Sequence, residues 1–312
     1  MPSFADKVTR FGFSRLGRIS PELASQLALT LFCRTPAKRP KVAKAKATFA
    51  EGARKLAQAE KILVQGPEMT IGVQRIAASG CSAPRVLVIH GWGSRAEYLA
   101  DMALGLRDAG AEVFVVDLPG HGRSSGRRLD MRMAAEAMAT VQERFGPFDA
   151  AVGHSFGGAA LMTAAGGSFP GIPALYAGRL AVIGSPSRIE DVFDGFSWMV
   201  GLTKATQRAL VDRTQRLVGC GVDALDCVPI ALRLGKPLLV VHAEDDKEVS
   251  AAQAKRYVGV SDLVRHYWAN GQGHRRIVSA PGVISEVSAF LLSDHLAVGL
   301  GNPLPLRAAS SY

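Results

Sequence analysis

Asp149-Ala150-Ala151-Val152-Gly153-His154-Ser155-Phe156-Gly157-Gly158-Ala159-Ala160-Leu161-Met162 is the stretch on which the fold turns. Its apolar opening reads as a strand and its small-residue close as a helix. Gly153-His154-Ser155-Phe156-Gly157 between them reads as a sharp turn. Glycines two positions to either side of the serine lack the Cβ atoms that would hold the strand and helix backbones apart. The serine is thereby offered at the tip of a strained turn, a costly place for a hydroxyl without a task. By itself the pattern is weak, because the 312-residue chain holds 33 glycines. Its surroundings decide.

Outward from that turn, strand-type and helix-type segments alternate from about Lys61 onward. Lys61–Val64 and Thr70–Gln74 flank Gly66-Pro67 and predict an antiparallel hairpin. Arg85–Ile89 is a short continuous apolar run, as expected of a strand buried on both faces. A helix over 95–109, a strand over 112–116, a Pro/Gly loop through Gly126 and a helix over 130–145 lead to the strand at 149–152. Beyond the turn come a strand at 179–183 and a helical stretch at 187–235. The alternation resumes with strands at 237–241 and 263–268 and helices at 250–258 and 282–292. This rhythm predicts an α/β fold, a mostly parallel sheet covered by helices on both faces, with 187–235 as a cap over one end.

In such a sheet the functional groups gather where strands end. His90-Gly91-Trp92-Gly93 follows the strand at 85–89, and Asp117-Leu118-Pro119-Gly120-His121-Gly122-Arg123-Ser124 follows 112–116. Ser155 follows 149–152, His242-Ala243-Glu244-Asp245-Asp246 follows 237–241, and Gly273-His274-Arg275 follows 263–268. A serine, an acid and a histidine thus appear in that chain order, each at the exit of a strand. With these motifs the chain resembles the α/β-hydrolase superfamily over about residues 61–293, in its bacterial esterase or lysophospholipase-like branch. The resemblance implies an eight-stranded sheet with a helical cap after the sixth strand. Two departures are a missing His-Gly-Gly-Gly signature and Ala243 where glycine often precedes the acid.

Roles follow from the resemblance. Ser155 is the expected nucleophile and His274 the general base. The main-chain N–H groups of Trp92 and Phe156 are the expected oxyanion donors. Glu244, Asp245 and Asp246 compete for the acidic role, and the family spacing to Val249 favours Asp246. His90, His121 and His154 read as structural, and Asp117 as an anchor for the Pro-Gly-His-Gly loop. Phe193, Phe196, Trp198 and Met199 are candidates for lining a substrate pocket, although aromatic residues at helical spacing more often belong to a core. The implied activity is cleavage of a small or medium acyl ester by a serine hydrolase needing no cofactor or metal. Thioester cleavage or acyl transfer by the same triad is the alternative, and a non-catalytic binding module is the reading outside enzymes. Epoxide hydrolases and haloalkane dehalogenases need a carboxylate where Ser155 stands.

Composition sets the remaining bounds. Hydrophobic residues make up 48% and charged residues 21%, as in a globular protein able to bury a core. The net charge of +10 is uneven: residues 1–61 hold thirteen Lys/Arg against four Asp/Glu, leaving the rest nearly neutral. Residues 34–46 carry six basic residues and no acid, interrupted by Pro36 and Pro40. This segment reads either as an arm for an anionic membrane surface or, preferably, as a solvated linker and packing helix. Without interleaved aromatic residues it is not read as a specific nucleic-acid binder. The apolar run 23–32 contains Ser25, Gln26 and Thr30 and reads as a helix rather than a secretory signal. Four scattered cysteines suggest neither zinc nor a disulfide framework, so a cytoplasmic protein, at most peripheral to a membrane, is expected. The expected organisation is a basic helical extension and linker (1–60), the α/β-hydrolase domain (61–293, cap about 187–235) and an irregular tail (294–312).

Overall fold

The computed structural model describes residues 4–40, 42–78 and 82–293; the tail expected at 294–312 lies outside them. Three helices come first: α1 (Phe4–Ile19), α2 (Pro21–Cys33) and α3 (Ala43–Lys55). The hairpin β1 (Glu60–Gln65) and β2 (Thr70–Ile76) follows, then β3 (Arg85–Ile89), α4 (Ala100–Asp108) and β4 (Glu112–Asp117). Next are α5 (Met131–Phe145), β5 (Phe148–His154), α6 (Phe156–Ala165) and β6 (Ala177–Ile183). Helices α7 (Ile189–Val200), α8 (Lys204–Val218) and α9 (Cys227–Leu234) fill the stretch after β6. The chain closes with β7 (Leu238–His242), α10 (Ala252–Lys255), β8 (Val264–Trp268), α11 (Gly273–Arg276) and α12 (Pro281–Leu291).

Eight strands form one sheet in the order β1-β2-β4-β3-β5-β6-β7-β8. Pairings β1–β2 and β2–β4 are antiparallel, and every later pairing is parallel. Successive side chains on a strand point to opposite faces, and the two cores obey that period. Leu87, Ile89, Phe114 and Val116 pack with α5, α6 and α9 on one side. On the other, Val86, Val88, Val113 and Val115 pack with α4 and α12. Burying each such side chain contributes about 1.5–3 kcal/mol, which explains why β3 to β7 read as continuous apolar runs. Local signals set the ends of elements. Asp130 caps α5 by accepting the Met133 N–H at 2.9 Å.

The helix expected over 250–258 is shorter, four residues of α10. Tyr257 and Val258 donate to the carbonyls of Ala254 and Lys255, three residues back, so the segment tightens as it ends. The opening of the helix expected over 95–109 is likewise a 3-10 turn, Ala96–Leu99, started by the Ala96 N–H donating to Asp117 Oδ1.

The N-terminal helices pack against the helices that follow β6. Helix α2 lies along α8, with Ala24 and Ala28 buried and Arg213 Nε donating to Ser25 Oγ at 2.8 Å. Helix α1 meets α7 and α8; a Cβ at Gly17 would sit 2.5 Å from Thr206 Oγ1, so only glycine permits that approach. The chain after α2 then crosses the loop that follows β4. Thr35 N–H donates to the Arg127 carbonyl, Leu129 N–H to the Cys33 carbonyl, and Lys38 Nζ to the Ser124 carbonyl. The first part of the basic 34–46 segment is thus tied down against the body. Among the described residues no helix is long and apolar enough to cross a membrane.

Candidate active site

Strand β5 delivers Ser155 into a backbone conformation (φ 53°, ψ −126°) that only this non-glycine residue has among the described ones, at positive φ. Such strain persists only where the surroundings enforce it. A Cβ at Gly153 would stand 2.5 Å from the Gly157 carbonyl oxygen, and one at Gly157 would fall on that of His90. The two flanking glycines are therefore required by close approach of β5, α6 and the loop after β3.

Around that turn the structure gathers groups from distant parts of the chain. Ser155 Oγ lies 3.0 Å from His274 Nε2, and His274 Nδ1 lies 2.7 Å from Asp246 Oδ2. Asp246 is fully buried at its side chain, and its other oxygen accepts the N–H groups of Glu248 and Val249 at 2.8 and 2.9 Å. The neighbouring acids face elsewhere. Asp245 Oδ1 accepts the Gly271 N–H at 2.8 Å, while Glu244 pairs with Asn270 and Lys255. Both hold the loop that leads from β8 into His274. An ionised Asp246 demands a donor on Nδ1, which leaves Nε2 free to accept the serine proton.

The loop after β3 is clasped by two histidines. His90 Nδ1 lies 2.7 Å from the Gly91 carbonyl and its Nε2 accepts the Leu118 N–H at 2.9 Å. His121 Nδ1 faces the Pro119 carbonyl at 3.0 Å, and its Nε2 accepts the Gly93 N–H at 3.0 Å. Each arrangement requires a neutral ring with the proton on Nδ1. Burial, with His121 second, pushes His90 down to about 3, and burial also lowers His121. The Trp92 N–H between these clasps, and the Phe156 N–H at the start of α6, have no acceptor among the described residues. Asp117 accepts the N–H groups of Ala96 and Arg123, so it anchors both this loop and the one after β4.

Three participants carried no distinctive signal in the sequence. His154 Nε2 donates to the His274 carbonyl at 2.9 Å, and its ring centroid is 4.8 Å from that of His274. Burial, then the neighbouring His274, pushes the His154 imidazole down to about 3. Gly184, at the exit of β6, adopts φ +54°, and a Cβ there would lie 3.3 Å from His274 Nδ1 and 3.4 Å from Asp246 Oδ2. Glu248 Oε2 stands 4.0 Å from His274 Nε2, held by Arg275 at 2.7 Å.

The four pocket candidates separate. Phe193 is buried and Phe196 partly buried, each packed on Phe32 of α2 with centroids 5.3 and 5.0 Å away. Trp198 and Met199 are exposed, and Arg10 of α1 lies over the Trp198 ring at 5.4 Å. None of the four has a ring contact or hydrogen bond to Ser155, His274 or Asp246 among the described residues. Aromatic rings nearer the serine are Trp92 and Phe156, edge-on at 5.7 Å.

A sequence profile described as the alpha/beta hydrolase family matches residues 86–287. An esterase of Mycobacterium tuberculosis is 35% identical over 111 residues, covering 32% of this chain and 36% of that protein, so the match spans about a third of its length. The esterase structure of Pyrococcus furiosus superposes with a TM-score of 0.58 at 13% identity, covering 84% of this chain and 97% of that one. A carboxylesterase of Bacillus subtilis gives 0.57 at 15% identity, covering 80% and 98%. At such identities these two structures speak for the shared architecture alone.

Proposed function

The chain belongs to the alpha/beta hydrolase family, and on that footing we propose that it is a serine hydrolase cleaving carboxylic esters of small or medium acyl groups. Ser155 Oγ attacks the ester carbonyl while His274 Nε2 takes its proton. Asp246 holds the imidazole tautomer and offsets the charge of the imidazolium. The oxyanion of the tetrahedral intermediate accepts the N–H groups of Trp92 and Phe156, each such donor typically worth about 2.7–4 kcal/mol. His274 then protonates the leaving alcohol. A water, deprotonated by the same ring, cleaves the acyl-enzyme and returns the proton to Ser155.

The observation that carries this reading is the continuous relay Asp246–His274–Ser155, at 2.7 and 3.0 Å, on a serine held at positive φ. That a similar protein is an esterase supports the choice of an ester. Purified wild type should form a covalent adduct with a fluorophosphonate probe and hydrolyse chromogenic acyl esters. S155A should do neither, with hydrolysis falling about ten-thousand-fold or more at an unchanged melting temperature. Absence of an adduct in wild type, or more than a tenth of the rate in S155A, defeats the assignment.

A further inference from the structure

Helix α2 has a face that no other described residue covers. Leu23, Leu27 and Leu31 recur every fourth residue, so they form one line along the helix. They are 48%, 48% and 39% exposed, while Ala24 and Ala28 on the adjoining face are fully buried against the body. Helix α1 continues the exposure with Phe11 at 64% and Ile19 at 82%. Single exposed apolar residues are ordinary; five large ones on two adjoining helices are not.

Charge says what fits there. Arg15, Arg18, Arg34 and Arg39 are exposed on the same helices and their continuation, and Glu22 is the one exposed acid between residues 9 and 40. Arg15 lies over the Phe11 ring at 5.3 Å, so cation and apolar group share one site. Helix α8, packed beside α2, adds exposed Lys204, Arg208 and Arg216 against a single exposed acid, Asp212. The acids of this region cluster on α7 instead, where Asp194 is taken up by Gln207 and Asp191 by Arg188 and Gln253. Exposed apolar side chains and arginines on the same helices fit a headgroup boundary, where leucine enters the acyl region and guanidinium pairs with phosphate. A second copy of this chain would bring the same positive charge against itself.

The hairpin is also rigidly seated. Gly17 closes on Thr206, Arg10 Nη1 donates to the Trp198 carbonyl at 2.7 Å, and Arg213 holds Ser25. Folding has thus already fixed its orientation, and binding need not pay for ordering it. We propose that the outer face of the α1–α2 hairpin docks on the surface of an anionic lipid bilayer. The docking surface is α1–α2 rather than the 34–46 segment as a whole, whose first residues are engaged with the 118–129 loop. This inference stands apart from the esterase reading and uses none of the residues assigned to catalysis.

The test is co-sedimentation of the full chain with vesicles of phosphatidylcholine alone or mixed with phosphatidylglycerol. Wild type should bind the anionic vesicles at least about tenfold more tightly, and about 1 M salt, where the Debye length is about 3 Å, should release most of it. L23S/L27S/L31S should lose about tenfold or more. R15E/R18E, which leaves the apolar line intact, should lose at least as much, each basic residue being worth about fivefold near such a surface. Both variants should keep wild-type hydrolysis of a water-soluble ester. Failure of wild type to bind, equal binding to both vesicle types, or undiminished binding by R15E/R18E overturns the proposal. So does a wild-type dimer in sedimentation velocity that L23S/L27S/L31S converts to monomer, which would make this face a self-interface.

Discussion

Replacing Asp246 by asparagine isolates the acidic member of the relay, which family spacing favoured among three adjacent acids. The side chain is wholly buried, with one oxygen on two backbone N–H groups and the other 2.7 Å from His274 Nδ1. Asparagine keeps the shape. Its single acceptor oxygen is claimed by the Glu248 and Val249 amides, so its NH₂ must face the histidine. An NH₂ group only donates, which drives the ring proton to Nε2, the atom 3.0 Å from Ser155 Oγ. The base is then occupied before reaction begins. A wrong tautomer of this kind costs about ten-thousand-fold in kcat, about 5.4 kcal/mol at 1.36 kcal/mol per decade. D245N is the control, because its carbonyl still accepts from Gly271 and should leave kcat within tenfold. Steady-state hydrolysis of a chromogenic ester, with thermal unfolding to verify the fold, measures both. A D246N enzyme retaining more than a tenth of wild-type kcat, or a D245N enzyme equally impaired, refutes the argument.

Other consequences follow from the same geometry. G157A should destabilise by about 1–3 kcal/mol in urea titrations, since the new methyl meets the His90 carbonyl in a packed interior. H121A should lower kcat about tenfold or more with little change in KM, because it frees the Gly93 N–H and loosens the loop bearing the Trp92 amide. His90 and His154 titrate near 3 in the folded protein against about 6.5 unfolded. At these two sites the unfolded chain therefore takes up two protons that the folded one refuses, and stability falls as pH drops from about 6.5 toward 3, these two alone contributing up to about 2.7 kcal/mol per unit. Urea midpoints measured across that window should show the loss, and H154Q should lower its slope by up to about 1.4 kcal/mol per unit; an unchanged slope in the variant contradicts the assignment.

What the sequence disclosed was whatever one segment could encode by itself. Strands β3 to β7 announced themselves because they are buried on both faces, and the hairpin because Gly66-Pro67 separates two apolar runs. Ser155 and His274 were legible because glycine spacing and chain order mark them. Choosing among Glu244, Asp245 and Asp246 by residue type was impossible, since the three are chemically alike and adjacent. Direction decides, and direction comes from a turn in which the Asp246 N–H donates to the Ala243 carbonyl. Gly184, His154 and Glu248 matter only through neighbours some 26 to 120 positions away. The seating of α2 on α8 was hidden for the same reason: its buried line is two alanines, Ala24 and Ala28, whereas its conspicuous leucines face outward.

The bond from His154 to the carbonyl of His274 joins the residue before the serine to the residue opposite it across the rim. Neither partner is near the other until β5 has paired with β6, β6 with β7 and β7 with β8. Turnover is consequently a property of the finished sheet alone, and a chain halted with its last strand undocked would be inert however well its first half had folded. During refolding, recovery of ester cleavage should trail recovery of helical signal, making the enzyme its own gauge of completion.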